Sequence, residues 1–123
     1  MRKSMTNEKT NNGKELTEAF VLWIHNAKSG KEYLSGFTSE LIGKNRLVGY
    51  FNTMKKNPKE PDIRVYTLDR EGHQDKEIAD LWENESKANT RYLSGSSDEK
   101  EKLVGFYGDK KDNKKPYVRV YFN

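Results

Sequence analysis

At 123 residues and 14.3 kDa the chain has room for one ordinary domain or two very small ones, and a hydrophobic fraction of 33 % gives either a thin core. The longest apolar run, Ala19 to Ile24, is far short of the roughly 18 residues of a membrane span, and polar residues from Thr6 to Lys14 stand where a signal peptide would need its apolar segment, so a cytoplasmic protein is expected. The lack of cysteine excludes disulfides, thiolate nucleophiles and sulfur-ligated zinc, while a net charge of +4, from 23 basic and 19 acidic residues, permits a nucleic-acid partner without requiring one.

Residues 1–13 are polar and read as a flexible segment, after which Glu15 to Phe20 either forms a short helix or lengthens the first strand. Ala19 to His25, rich in Phe, Val, Trp and Ile, reads as a strand. Lys28-Ser29-Gly30-Lys31 supplies a turn, and Tyr33 to Thr38 is the second strand. Leu47 to Asn52 is the third, Asn57 to Pro61 breaks it, and Ile63 to Leu68 is the fourth. Residues 70–77 read as a linker. Four further strands follow, over Ile78 to Asn84, Arg91 to Ser96, Lys102 to Gly108 and Tyr117 to Phe122.

The second set of strands repeats the first. Leu22-Trp23, Tyr33-Leu34-Ser35-Gly36, Leu47-Val48-Gly49-Tyr50-Phe51 and Arg64-Val65-Tyr66 recur as Leu81-Trp82, Tyr92-Leu93-Ser94-Gly95, Leu103-Val104-Gly105-Phe106-Tyr107 and Arg119-Val120-Tyr121. Length differences fall only between these blocks, where loops absorb them. The chain is a tandem duplication, with one β repeat over 14–69 and the other over 78–123. Short connections leave no room for parallel crossovers, so each repeat is an antiparallel four-stranded meander. Two such sheets, each with an apolar face to hide, predict a mainly β fold with little helix. The expected architecture is a pseudo-twofold sandwich or an eight-stranded barrel, active as a monomer or further paired as a homodimer.

Alternation separates two faces. Ile63, Val65 and Thr67 point one way, as do Val118, Val120 and Phe122, whereas Arg64 with Tyr66 and Arg119 with Tyr121 point the other. An outer surface with Trp23, Trp82 and these residues offers rings to stack on bases and guanidinium groups for phosphates. Lys55 and Lys56 at one hairpin, and Lys110 and Lys111 at another, flank it with positive charge. The paired glycines, Gly36 with Gly95 and Gly49 with Gly105, mark strong sheet curvature or bulges.

Catalytic chemistry finds little to stand on. His25 and His73 lie on different elements without metal-ligand spacing, and the Gly30-Lys31 and Gly43-Lys44 pairs lack the other residues of a phosphate loop. Asp109 and Asp112 could join Asp98 or Glu99 around a divalent ion, but acids in polar turns are ordinarily just solvated. No enzymatic activity, cofactor or metal is expected.

The repeat unit, from the Trp through Tyr-Leu-Ser-Gly to Arg-Val-Tyr, resembles that of short β proteins encoded by phages, plasmids and integrated elements. Some such proteins are similar to the twisted-sheet, single-stranded-DNA-binding fold of transcriptional coactivators, and others act as anti-CRISPR inhibitors. The resemblance implies two alternatives. One is a non-enzymatic protein that holds single-stranded or distorted nucleic acid on its aromatic and basic face. The other is an inhibitor that covers the nucleic-acid-binding surface of a nucleic-acid-guided nuclease, offering Glu83, Glu85, Asp98, Glu99 and Glu101 in place of phosphates.

Overall fold

Apolar residues at alternate positions give every strand one side to hide, and curling the sheet into a tube hides all those sides at once. The computed structural model describes residues 16–123, and the expected flexible segment over 1–13 lies outside them. Eight strands follow in order: β1 (Thr17–Asn26), β2 (Glu32–Thr38), β3 (Arg46–Phe51), β4 (Ile63–Leu68), β5 (Gln74–Glu85), β6 (Arg91–Ser97), β7 (Lys102–Tyr107) and β8 (Val118–Phe122). Each pairs antiparallel with the next, and β8 returns to pair with β1. Of the two expected architectures the closed barrel is the one formed. Closure removes the edge strands that a sandwich of two meanders would leave exposed.

The interior is filled by Phe20, Leu22, Leu34, Leu47, Ile63, Val65, Leu81, Leu93, Leu103, Val118 and Val120, each at most 3 % exposed. Charged side chains and most of the aromatic ones stand outside, the inverse of the apolar-out pattern of a membrane barrel. Among the described residues no helix is long and apolar enough to cross a membrane.

The glycines fix how tightly the tube can curl. Gly36 stands opposite Leu22, and Gly95 opposite Leu81. A Cβ on either would fall inside the van der Waals radius of a neighbouring carbonyl oxygen, that of Val21 or of Asp80. Only glycine permits this approach. Gly49 and Gly105 act differently, because there the vacated space is filled by Leu34 and Leu93, whose Cβ atoms would lie 3.3 and 3.2 Å from an added methyl.

The join between repeats is a hairpin, shorter than the linker expected over 70–77. Asp69 Oδ1 accepts the N–H groups of Glu71 and His73, both at 2.9 Å, and Gly72 takes a positive φ of 86°. Gln74 already pairs with Leu68. The sequence hides this part of β5 because Gln74, Asp75 and Lys76 are all exposed and carry no apolar alternation. At the other end, the first strand is lengthened to Thr17 with no helix among the described residues. Each seam between repeats carries a bulge: Ala19 is the extra residue between β1 and β8, and Ile78 between β5 and β4.

Repeat two follows repeat one by four strands of eight, so the pseudo-twofold axis is the barrel axis and equivalent residues lie on opposite sides of the tube.

Candidate nucleic-acid interface

Cross-strand partners arrange the outward side chains in rows. One row runs Asn84, Tyr92, Phe106, Arg119, Val21, Phe37 and Arg46, from β5 through β8 and on across β1 to β3. Its pseudo-twofold mate runs His25, Tyr33, Tyr50, Arg64, Asp80, Ser96 and Lys102. The rows begin alike and then part. Beyond the arginine the first presents Val, Phe and Arg, and the second Asp, Ser and Lys.

The first row is an open aromatic strip with uncompensated positive charge. Phe106 is 43 % exposed and Phe37 40 % exposed. Tyr121 packs against Phe106 with ring centroids 6.0 Å apart, widening the platform. Between the two phenylalanines, Arg119 is exposed and makes no ion pair among the described residues. Arg46 donates to the Asp69 carbonyl at 3.2 Å, and the Lys44 ammonium lies 5.8 Å from the centre of the Phe37 ring. Glu18, opposite Tyr121, bounds the strip on one side.

On the opposite wall the same platform is present but its charge is cancelled. Tyr50, 43 % exposed, lies 6.1 Å from Tyr66. Arg64 faces Glu77 at 3.7 Å and pairs in register with Asp80. The Glu77 carboxyl is pushed up to about 7 by hydrogen bonding to Asp80 and by burial, with the repulsion of the Asp80 charge adding to both. Glu77 Oε2 and Asp80 Oδ1 are buried and have no hydrogen-bond partner as carboxylates. A protonated Glu77 can donate to Asp80, which as a carboxylate only accepts. Burial and the neighbouring Glu77 also raise the Tyr66 phenol.

The residues expected to share one face are therefore distributed over two walls and one end. Arg64, Tyr66 and Trp23 belong to the first repeat, and Arg119, Tyr121 and Trp82 to positions across the barrel from them. Trp82 is half-buried under the β3–β4 loop, its Nε1 donating to the Lys59 carbonyl at 3.0 Å. It closes the wall instead of offering a free ring. Lys55 and Lys56 lie in the β3–β4 loop, and Lys110 and Lys111 in the β7–β8 loop, at one end of the tube. Lys55 bonds Asp62 at 3.1 Å and Lys110 bonds Glu32 at 2.7 Å. Tyr92, Phe106, Phe37 and Arg46 complete the strip and were not singled out from the sequence. The signal was available, because an inward glycine at 36 or 105 forces the next residue, Phe37 or Phe106, outward.

The candidate acids of the second repeat are mostly engaged or dispersed. Glu83 accepts from Tyr107 Oη at 2.7 Å and pairs with Arg91 at 3.3 Å, and Asp98 pairs with Lys76 at 3.4 Å. Asp98 and Glu99 sit at the end opposite Asp109 and Asp112, so these four do not converge on an ion. Asp69, Glu71 and His73 bring ligand atoms within 4.8 Å of one another in the β4–β5 hairpin, where Asp69 is occupied by backbone N–H groups that hold its carboxyl below the usual range. A scan of protein-family models and searches of curated proteins and of solved structures found no match to this chain.

Proposed function

We propose that this chain is a non-enzymatic binding protein that holds single-stranded or distorted nucleic acid along the strip from Tyr92 to Arg46. The observation that carries the reading is Arg119, exposed between Phe106 and Phe37 and without an ion pair among the described residues, while its mate Arg64 is matched by acids. Exposed rings give bases a sequence-tolerant stacking surface worth about 1–3 kcal/mol per base, and the arginines take the phosphates between them. The apolar step at Val21 keeps the platform continuous across the seam.

Fluorescence anisotropy of a labelled single-stranded oligonucleotide, from low to physiological salt, tests this reading. Saturable binding is expected, with a log–log salt slope that Arg119→Ala makes shallower by about 0.7. Phe106→Ala weakens binding by about 1–3 kcal/mol at every salt concentration, whereas Arg64→Ala changes affinity less than about twofold. No binding at low salt, or equal losses from the two arginines, refutes the strip. The first of these outcomes turns the search to nucleic-acid-guided nucleases as protein partners.

A further inference from the structure

The most lopsided feature of the barrel is the charge at its two ends. Alternate loops of an up-and-down barrel share an end. The β1–β2, β3–β4, β5–β6 and β7–β8 loops, residues 27–31, 52–62, 86–90 and 108–117, together carry ten lysines and four acids. The loops at the other end, 39–45, 69–73 and 98–101, carry three basic residues and six acids. A net charge of +4 conceals this polarity.

The four acids of the lysine-bearing loops all accept backbone N–H groups. Glu60 accepts the N–H groups of Lys56 and Asn57 at 2.9 and 3.2 Å, and Asp62 that of Glu83 at 2.8 Å. Asp109 accepts from the Lys111 N–H at 2.9 Å and Asp112 from that of Lys114 at 3.1 Å. Lys55 and Lys110 make ion pairs, and the other eight lysines are exposed with none among the described residues. The carboxylates shape the loops, and those eight ammonium groups are left to solvent.

The pseudo-twofold axis passes through this end, with the two long loops, bearing three and four lysines, on opposite sides of it. A nucleic-acid duplex carries the matching symmetry, because its two antiparallel phosphate chains are related by dyads normal to the helix axis. A loop on each chain gives both chains equivalent contacts, which a lone strand cannot supply. We propose that the lysine-bearing end docks on a nucleic-acid duplex, with the β3–β4 loop on one phosphate chain and the β7–β8 loop on the other. Such a contact reads backbone charge and spacing and leaves sequence unread. It is separate from the aromatic strip and stands without it.

The test is made in the full chain carrying Phe106→Ala and Arg119→Ala, so that strip binding is already removed. A labelled duplex of about 20 base pairs and a single strand of the same length are titrated at several salt concentrations. About six phosphate contacts give a log–log slope near −5, and the duplex is expected to bind at least about tenfold tighter than the strand. Lys56→Gln with Lys59→Gln, and Lys111→Gln with Lys114→Gln and Lys115→Gln, should each make the slope shallower by about 2 to 3. Arg70→Gln with Lys100→Gln, at the other end, should leave it unchanged. Equal affinity for duplex and strand, or a slope moved by only one of the two loops, overturns the docking. Loss of single-strand binding in the otherwise unmodified chain bears on the strip alone.

Discussion

Asp80→Val places in the second repeat the residue that the first carries at the equivalent position, Val21, and tests whether Asp80 holds the Glu77 carboxyl up. In the native barrel the Glu77 carboxyl is raised from 4.5 to about 7. A tenfold change in proton affinity corresponds to about 1.4 kcal/mol, which sets a ceiling of about 3 kcal/mol for this group. The Glu77 side chain is 35 % exposed, and solvent screening reduces the expected figure to about 1 kcal/mol. Because the folded value lies above the unfolded one, the contribution is fully present below about pH 4.5 and disappears as pH rises through 7. For a domain of this size the loss lowers the melting temperature by about 4 °C between pH 5 and pH 8. Asp80→Val removes the crowding partner, leaves Glu77 an ordinary carboxylate facing Arg64, and flattens this part of the profile. The variant should match the parent near pH 5 and exceed it by about 1 kcal/mol near pH 8. Urea unfolding followed by tryptophan emission across pH 4.5 to 8 measures both. An equal pH slope in parent and variant would refute this role of Asp80.

Gly36→Ala or Gly95→Ala sets a methyl against the Val21 or Asp80 carbonyl, where no flexible side chain can yield, and should destabilise the barrel by about 3 kcal/mol or more. Gly49→Ala meets only side chains, those of Leu34 and Leu22, and should cost about 1–2 kcal/mol, so equal urea midpoints for Gly36→Ala and Gly49→Ala would show that the ladder can spread at position 36. Glu77→Gln combined with Asp80→Val frees Arg64 beside Tyr50 and makes the second wall like the first. Titration with a short single strand at stoichiometric concentration should then saturate at two strands per barrel in place of one, and an unchanged ratio would deny that these acids silence that wall.

The strands were legible because the duplication prints each twice and apolar alternation marks the buried side, as Ile63 and Val65 do in β4 and Val118 and Val120 in β8. The start of β5 was not, since Gln74, Asp75 and Lys76 are exposed, carry no apolar alternation, and are held by the Gln74–Leu68 pairing and by Thr67 Oγ1 bonding the Lys76 backbone. For the candidate site, Arg119 and Tyr121 followed from alternation in one strand, whereas the strip as a whole depends on register across a seam that joins the end of the chain to its beginning. No local pattern sets Arg119 beside Val21. The same closure sends equivalent positions to opposite walls, which is why residues that looked like one face became two. The grouping of all the lysine-rich loops at one end likewise follows from strand parity and not from any segment of sequence.

Closure binds the two repeats unequally on their two sides. Inward positions must fill one shared tube, and most agree or stay apolar: Leu22 with Leu81, Leu34 with Leu93, Leu47 with Leu103, Val65 with Val120, and Ile63 with Val118, with Phe20 against Ala79 a large change of size. Outward positions beyond the seam are free of that requirement, and they differ: Val21 against Asp80, Phe37 against Ser96, Arg46 against Lys102. A homodimer of single repeats would present both walls alike, so a substitution that cancelled one would cancel the other. Fusing the repeats lets one wall turn acidic while the other stays apolar and basic. At the lysine-bearing end both long loops keep their lysines, and the twofold character survives. The asymmetric strip thus suits a partner without a dyad, a single strand, and the symmetric end suits one that has a dyad, a duplex. The two proposed contacts divide along the line the duplication itself draws.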